Sequence, residues 1–343
     1  MFSKKFKISD LSISEKDKAI IVAEVGVNHE GSFQNCLKMI KAARSAGADL
    51  VKLQVADPES NYLKNTKSFK IFLKSQLSKE DIFNIYQFGK KNKIKIFSTF
   101  DKKNLNFFKK LSQPCYKISS SLFYDYFFIR EILQLKKPVF ISSGVSDLKD
   151  IDCLLVLLKK QINKKIILLH SRSLYPTNAK SLHLSRISHL ILKYNMLVGF
   201  SDHSKGIDAS AASIHYGAKM IEKHFTLNNK KNGYDHKVSL EPKEFSKMVK
   251  NIRKNEEMVG VPDYQMKDTK VDFEKLKKII RQFYLINDVK KNSFINQNDF
   301  RLIRAKSYQN FVPLHKIINK ILKSKTNKNL KGEKFLRLND FKR

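Results

Sequence analysis

Two lysines, two histidines and a glutamate stand where short apolar runs of this chain end. Glu24 lies inside IIVAEVGV and Lys52 inside LVKLQV. A carboxylate in such a run is costly unless it is paired or at work. Acid on one run and base on the next describes either a reacting site or a satisfied core ion pair. Lys117, in CYKISS, is a second base of the same kind. With the hydroxyls of Thr99, Ser120 and Ser201, the two lysines would form an anion cradle, since ammonium groups act as point charges and hydroxyls donate to phosphate oxygens. The plainer alternative is two lysines snorkelling to solvent. His203, in GFSDHSKG, and His224, in EKHFTL, close two further runs. A pair of imidazoles with positions left for oxygen ligands suits a Mn²⁺-like divalent ion, which can act as a Lewis acid on a carbonyl oxygen. Asp235 and His236 follow in GYDHKVSLEP, either contacting a polyol or facing solvent. His29 reads as a loop-shaping residue and His170 as a core imidazole with a backbone partner.

The elements that must position these groups alternate. Strand signals fall at IIVAEVGV, LVKLQV, IKIFSTF, CYKISS, PVFISS, KIILLHS, LVGFSD and MIEKHFT. Helical periodicity lies between them, as at Ser32–Ala46, where Phe33, Leu37, Ile40 and Ala43 share a face. SKED at Ser78 reads as an N-cap followed by acids in the first turn. Further helices are expected near Lys103–Leu111, Tyr126–Leu135, Asp147–Gln161, Leu182–Tyr194, Ile207–Tyr216 and Pro242–Val259. Eight strand–helix pairs in about 250 residues predict a (β/α)₈ TIM barrel, whose active face lies at the C-terminal strand ends. The polar residues of the chain, Ser98, Ser119, Ser142, Ser143, Ser173 and Asp202 among them, gather there. AGADLVKLQ and YGAKMIEKHF each put Gly-Ala before a strand, with the glycine as a left-handed helix C-cap.

The N-terminus reads as a polar arm and Asp57–Ser78 as a surface loop over the barrel mouth. The expected domains are a barrel at 1–260, a linker at 261–274 and a small domain of short strands and turns at 275–343.

The 343 residues are 42% hydrophobic, enough for a large core and a small one. No apolar run reaches the roughly 18 residues a bilayer span needs, and no apolar segment follows the charged N-terminus. A cytoplasmic protein without a membrane partner is expected. The three scattered cysteines, Cys36, Cys115 and Cys153, fit reduced thiols. A formal charge of +35 invites a nucleic-acid reading. The lysines, however, recur as doublets throughout, with no basic block and no recognised motif, so compositional drift is preferred.

AEVGVNHEGS, AGADLVKLQ, FSTFD, YKISS, PVFISSGVS, LLHSRSLYP, GFSDHSKG, IEKHFTL and GYDHKVSLEP, in this order, resemble the N-acetylneuraminate (sialic acid) synthases and related nonulosonate synthases. The resemblance covers roughly Lys18 to Gly260. More weakly, the C-terminal part resembles the family's antifreeze-like (SAF) domain. It implies condensation of phosphoenolpyruvate (PEP) with an N-acylated mannose-type aldose, N-acetylmannosamine foremost, to give a nine-carbon 2-keto sugar acid and phosphate. A diacetamido-trideoxy hexose, as in pseudaminic or legionaminic acid synthesis, is the alternative acceptor. It further implies a divalent metal, Mn²⁺ with Mg²⁺ or Co²⁺ as substitutes, and a homodimer in which each small domain caps the neighbouring barrel.

Carried over by motif, Lys52 and Lys117 would grip PEP, and Thr99, Ser120, Ser173 and Ser201 would hold its phosphate and carboxylate. His203 and His224 would bind the metal, and Glu24 would be the proton-handling or anchoring acid. Gln54, Tyr175 and Asp235 would touch the sugar, and Arg304 would reach its acyl group. The chain departs from the pattern at Ser121-Leu122, where the family carries an acceptor-binding glutamate, at Ala305, where proline is usual, and at Ser173, where asparagine or threonine is common. A non-catalytic cationic binder on a decayed barrel is the competing class. Retention of Glu24, both lysines and both histidines speaks against it.

Overall fold

The structure, a computed structural model, describes residues 1–260, 279–304 and 312–342. The chain divides into two compact units, Met1–Gly260 and Val261–Arg343. The first begins with an antiparallel hairpin, β1 (Lys5–Ile8) and β2 (Leu11–Ser14). Eight parallel strands then close a barrel: β3 (Ile20–Gly26), β4 (Leu50–Val55), β5 (Ile96–Phe100), β6 (Tyr116–Ile118), β7 (Val139–Ser142), β8 (Ile166–Ser171), β9 (Val198–Asp202) and β10 (Met220–His224). β10 pairs with β3 to complete the ring.

The period of two decides what each strand residue does. Ile21, Ala23, Val51, Ile118, Val198 and Ile221 face outward into the layer between barrel and helices. Ile20, Val22, Leu50, Phe97, Cys115, Phe140, Ile167, Leu169 and Met220 fill the interior. Phe6, Ile8 and Ile13 of the hairpin belong to that interior cluster. The N-terminal arm expected to be polar is therefore a plug: KFKI and LSIS alternate, and their apolar face enters the barrel floor.

The helices start and stop as their chemistry dictates. Ser78 caps the helix Lys79–Lys91 by accepting from the Asp81 amide, and Asp81 accepts in return from Ser78. Gly47 and Gly217 hold φ of +101° and +90°, a region that disfavours side chains with a Cβ, so each chain reversal into a strand rests on the expected glycine. Asp57–Ser78 differs from the expected loop. It holds two short helices, Pro58–Asn61 and Lys67–Lys74. Asp101, at the end of β5, anchors the first, accepting from the Asp57 amide at 2.6 Å and the Asn61 side chain at 2.7 Å.

The second unit has a three-stranded antiparallel sheet, β11 (Arg281–Leu285), β12 (Phe300–Arg304) and β13 (Lys334–Phe335). Beyond the expected strands and turns it carries a helix, Leu314–Lys323, which buries Ile317 and Ile321. The expected linker 261–274 and Ala305 lie outside the described residues. No helix among the described residues is long and apolar enough to cross a membrane.

Candidate active site

The inward residues of the last strand positions make a polar layer above the apolar interior. Register places Glu24 beside Lys52, Thr99 beside Lys117, and Glu222 beside Ser201. A bulge between Glu24 and Gly26 shifts β3 against β4, and Gly26 takes φ +56°. A Cβ there would press on a Glu24 carboxylate oxygen.

Glu222 sits at the centre, and the motif reading passed over it. Its two oxygens accept from Lys117 Nζ at 2.8 and 2.9 Å. Lys52 Nζ lies 2.9 Å from one of them, and the Ser201 hydroxyl donates to the same oxygen at 2.9 Å. Lys52 Nζ is also 2.7 Å from Glu24. That contact lacks hydrogen-bond alignment, so neither Glu24 oxygen has a hydrogen-bond partner. All four side chains are buried. Two ammonium groups facing two carboxylates give a quartet without net charge, the form in which buried charges are tolerable. The lysines do not snorkel. Burial pushes Lys52 down to about 7, opposed by Glu222 and aided by Lys117. Burial works against the charge of Glu222 too, but Lys117 and Lys52 outweigh it and hold that carboxyl below the usual carboxylate range. The signal in the sequence was available: Glu222 and His224 are two apart on one strand and share its face.

Lys52, Lys117 and Glu222 floor a cavity of about 330 Å³ at the C-terminal strand ends, a size suited to small substrates. Lys52, Gln54, Thr99, Lys117, Ser120, Ser173, Tyr175, Ser201, His203, His224 and Asp235 all line it. Glu222 lines it as well, whereas Glu24 stands behind Lys52 and is absent from the wall. Ser120 accepts from the Gly144 amide at 3.1 Å, and a Cβ at Gly144 would collide with the hydroxyls of Ser120 and Ser173. That glycine, also unremarked in the sequence, keeps the hydroxyl cradle open.

The imidazoles of His203 and His224 come together with ring centroids 5.4 Å apart. His203 donates from Nδ1 to the Arg172 carbonyl at 2.7 Å. That fixes the tautomer with the Nε2 lone pair free to accept, here from the Tyr175 hydroxyl at 3.1 Å. An Nδ1–H held by a carbonyl is the usual way a protein orients a metal-binding histidine. Burial lowers His203 to about 4 and depresses His224 further below its ordinary value, so both are neutral ligand-type imidazoles near pH 7. His224 Nδ1 is buried without a hydrogen-bond partner and lies 3.7 Å from Asp235. The donor set therefore fits a divalent cation, although among the described residues no group of three His, Cys, Asp or Glu side chains is assembled for one.

Several polar residues at the strand ends turn away from the cavity. Ser98 meets Tyr86, and His170 donates to the Leu182 carbonyl at 2.7 Å, as its core reading expected. Asp202 receives Lys223 at 3.0 Å and the Ser204 and Ser210 hydroxyls, bracing the loop that carries His203. His236 is buried between Thr226 and Glu30. Arg304 lies exposed at the end of β12 in the second unit.

His29 and His170 are both lowered by burial to about 4. Below their unfolded value of about 6.5 the unfolded chain takes up protons that the folded chain refuses, so stability must fall as pH drops from 6.5 towards 4. Asp235, lifted to about 6 by burial, works in the opposite sense, but it is one group against five, since burial lowers His203, His224 and His236 as well. Urea midpoints are expected to decrease between pH 7 and pH 5, and His170→Gln is expected to flatten that slope. A flat or rising profile in the parent protein would contradict the burial argument.

A closed eightfold barrel whose C-terminal face carries a pocket lined by two lysines, a row of hydroxyls and two paired imidazoles defines a class of enzyme that handles small anionic substrates. The NeuB family profile matches residues 39–264. A pseudaminic acid synthase of Campylobacter jejuni is 31% identical over 344 residues, covering 94% of this chain and 97% of that one. An N,N'-diacetyllegionaminic acid synthase of Legionella pneumophila is 29% identical over 303 residues, covering 83% and 85%. The solved N-acetylneuraminic acid synthetase of Leptospira borgpetersenii, in complex with citrate, superposes with a TM-score of 0.74 at 27% identity, covering 80% of this chain and 97% of that one. The chain belongs to the NeuB family of nonulosonate synthases. It is a PEP-dependent transferase that forms a carbon–carbon bond.

Proposed function

We propose that the chain condenses PEP with a 2,4-diacetamido-2,4,6-trideoxy hexose, giving a nine-carbon 2-keto sugar acid of the pseudaminic or legionaminic kind and phosphate. The observation that carries the acceptor is the wall of the pocket mouth. Leu122, Val145, Val55, Tyr62 and Phe72 line it, with the Tyr62 and Phe72 rings stacked at 5.1 Å. Leu122 stands where the family resemblance places a glutamate for the sugar. Apolar surface suits a methyl and a second acetamido group and leaves hydroxyls unpaired. The match to pseudaminic acid synthases over nearly the whole chain supports the same choice. The expectation of N-acetylmannosamine becomes the comparison arm.

Lys52 and Lys117 bind the PEP anion, with Thr99, Ser120, Ser173 and Ser201 donating to its oxygens. C3 of PEP attacks the aldehyde carbon, and positive character develops at C2. Glu222 faces that carbon and stabilises it, while Glu24 acts through Lys52 by holding its ammonium in place. Water adds at C2 and phosphate leaves, so that PEP, aldose and water become keto acid and phosphate. A divalent cation held by His203 and His224 would supply Lewis acidity at the aldehyde oxygen. Gln54, Tyr175 and Asp235 orient the sugar, and most of the acceleration comes from holding two substrates in line. By the same resemblance the second unit is an antifreeze-like cap in a homodimer, with Arg304 reaching the acyl group.

The test is phosphate release with PEP, Mn²⁺ and each aldose, with the keto acid identified by mass. A kcat/KM at least about tenfold higher for the trideoxy acceptor is expected, the worth of one well or badly matched group. A preference for N-acetylmannosamine would overturn the acceptor assignment, and phosphate release that needs no aldose would overturn the condensation.

A further inference from the structure

A second cavity opens at the opposite, N-terminal face of the barrel, with a volume of about 740 Å³. Eight of the 21 residues lining it are lysines and one is acidic, whereas Lys and Arg together make 67 of the chain's 343 residues. Composition alone does not account for that concentration. Lys93, Lys136 and Lys165 come from the turns that lead into β5, β7 and β8, Lys110 from the approach to β6, and Lys7 from the plug. Of these eight lysines only Lys95 is ion-paired among the described residues, to Asp10 at 2.9 Å, and Lys137 donates to the Gln113 main-chain carbonyl at 2.6 Å. Gln113 lines the same wall and is buried. Its side-chain oxygen Oε1 accepts from the Ser98 amide and the Tyr86 hydroxyl, leaving Nε2 without a partner among the described residues.

Two further observations point to a ligand. Lys93 and Lys136 hold φ of +55° and +57°, just past the ends of helices, where glycine is the favoured residue and an L-residue is strained. The Ile94 amide bonds back to the Gly89 carbonyl at 2.9 Å, the hydrogen bond of a glycine-type helix stop, yet a lysine occupies the position. Two lysines at glycine-type positions on one cavity wall are consistent with a role for their side chains there. The other observation is Phe83, exposed on the helix face it shares with Gln87 and Lys90 at spacings of four and seven. An exposed ring beside unpaired ammonium groups offers a stacking surface next to a phosphate clamp.

We propose that this cavity binds a nucleoside polyphosphate, its phosphates on the lysines and its base on Phe83. A single phosphate would leave most of the ammonium groups facing one another. The site is on the far side of the barrel from the PEP pocket and does not depend on the acceptor assigned above.

The full-length protein is titrated with N-methylanthraniloyl-ATP, with excess PEP present to occupy the opposite face. Saturable, salt-sensitive binding is expected. Lys93→Glu, Lys136→Glu and Lys165→Glu together should weaken it by at least about tenfold. The same reversal at Lys243, Lys247 and Lys250 on the exposed face of Pro242–Val259 should change it less than about twofold. Phe83→Ala should weaken ATP and leave displacement by tripolyphosphate unchanged. Lys93→Gly with Lys136→Gly should raise Tm while weakening binding, a trade that a merely structural role would not show. The proposal is overturned by equal loss in both triple variants, by no saturation up to about 1 mM, or by tripolyphosphate matching ATP with no effect of Phe83→Ala.

Discussion

Glu222→Gln is expected to lower kcat for phosphate release by about 10²–10³-fold, the usual cost of removing a preorganised group from a developing charge. The carboxylate is the common partner of Lys52, Lys117 and Ser201. An amide of the same shape can accept from one ammonium group but turns its NH₂ toward another. The variant should also be less stable, because the quartet then carries two ammonium groups against one carboxylate. Truncation to alanine is expected to cost about 3–5 kcal/mol, the range for breaking a buried ion pair by removing one partner. Steady-state kinetics and urea unfolding of both variants check this. Turnover within about fivefold of the parent would remove Glu222 from the reacting centre, and unchanged stability would mean the lysines find water instead.

His224→Ala is the second large effect. The ring is buried, its Nδ1 has no partner, and its centroid is 5.4 Å from that of His203. Mn²⁺ titration followed by electron paramagnetic resonance should show affinity reduced by more than about 100-fold, since even outer partners of ligating histidines cost 10–100-fold. Turnover should vanish with it, while far-ultraviolet circular dichroism stays native. EDTA-treated variant that turns over like the parent would refute the metal role.

The barrel was legible because strand and helix periods are long, regular and punctuated. GADLVKLQ and SKED each announce an element boundary that physics then enforces. The strand-end residues were legible for the same reason, since alternation along a strand assigns each to the inside or the outside. Glu222 carries no signal of its own in MIEKHF, because its value lies in which side chains face it. Its partners come from β4, β6 and β9, and only closure of the ring brings them within 3 Å. Charge pairing across a barrel leaves no local pattern.

Ser98, Ser143 and Asp202 show the converse. They are polar and at strand ends, yet Ser98 meets a helix, Ser143 donates to the Leu169 carbonyl of the next strand and Asp202 braces a loop. The plug was missed through its composition. Lys5, Lys7, Ser12 and Ser14 disguise the alternation of Phe6, Ile8 and Ile13, and the tight turn at Ser9, with φ +58°, carries no glycine to signal it. The helix Leu314–Lys323 was hidden by a neighbourhood of short strands, although Ile317 and Ile321 stand one helical turn apart.

In the proposed reaction Lys117 and Lys52 hold PEP above Glu222. The direct measurement is the equilibrium dissociation constant of PEP for Lys117→Ala, by calorimetry, without the sugar. Lys117 supplies a charge-assisted contact, and without it Glu222 keeps Lys52 and Ser201 while the pocket loses one positive charge. The expected result is binding weakened by about 10- to 100-fold in a protein of native fold. A dissociation constant within about twofold of the parent would place PEP somewhere other than on this pair of lysines.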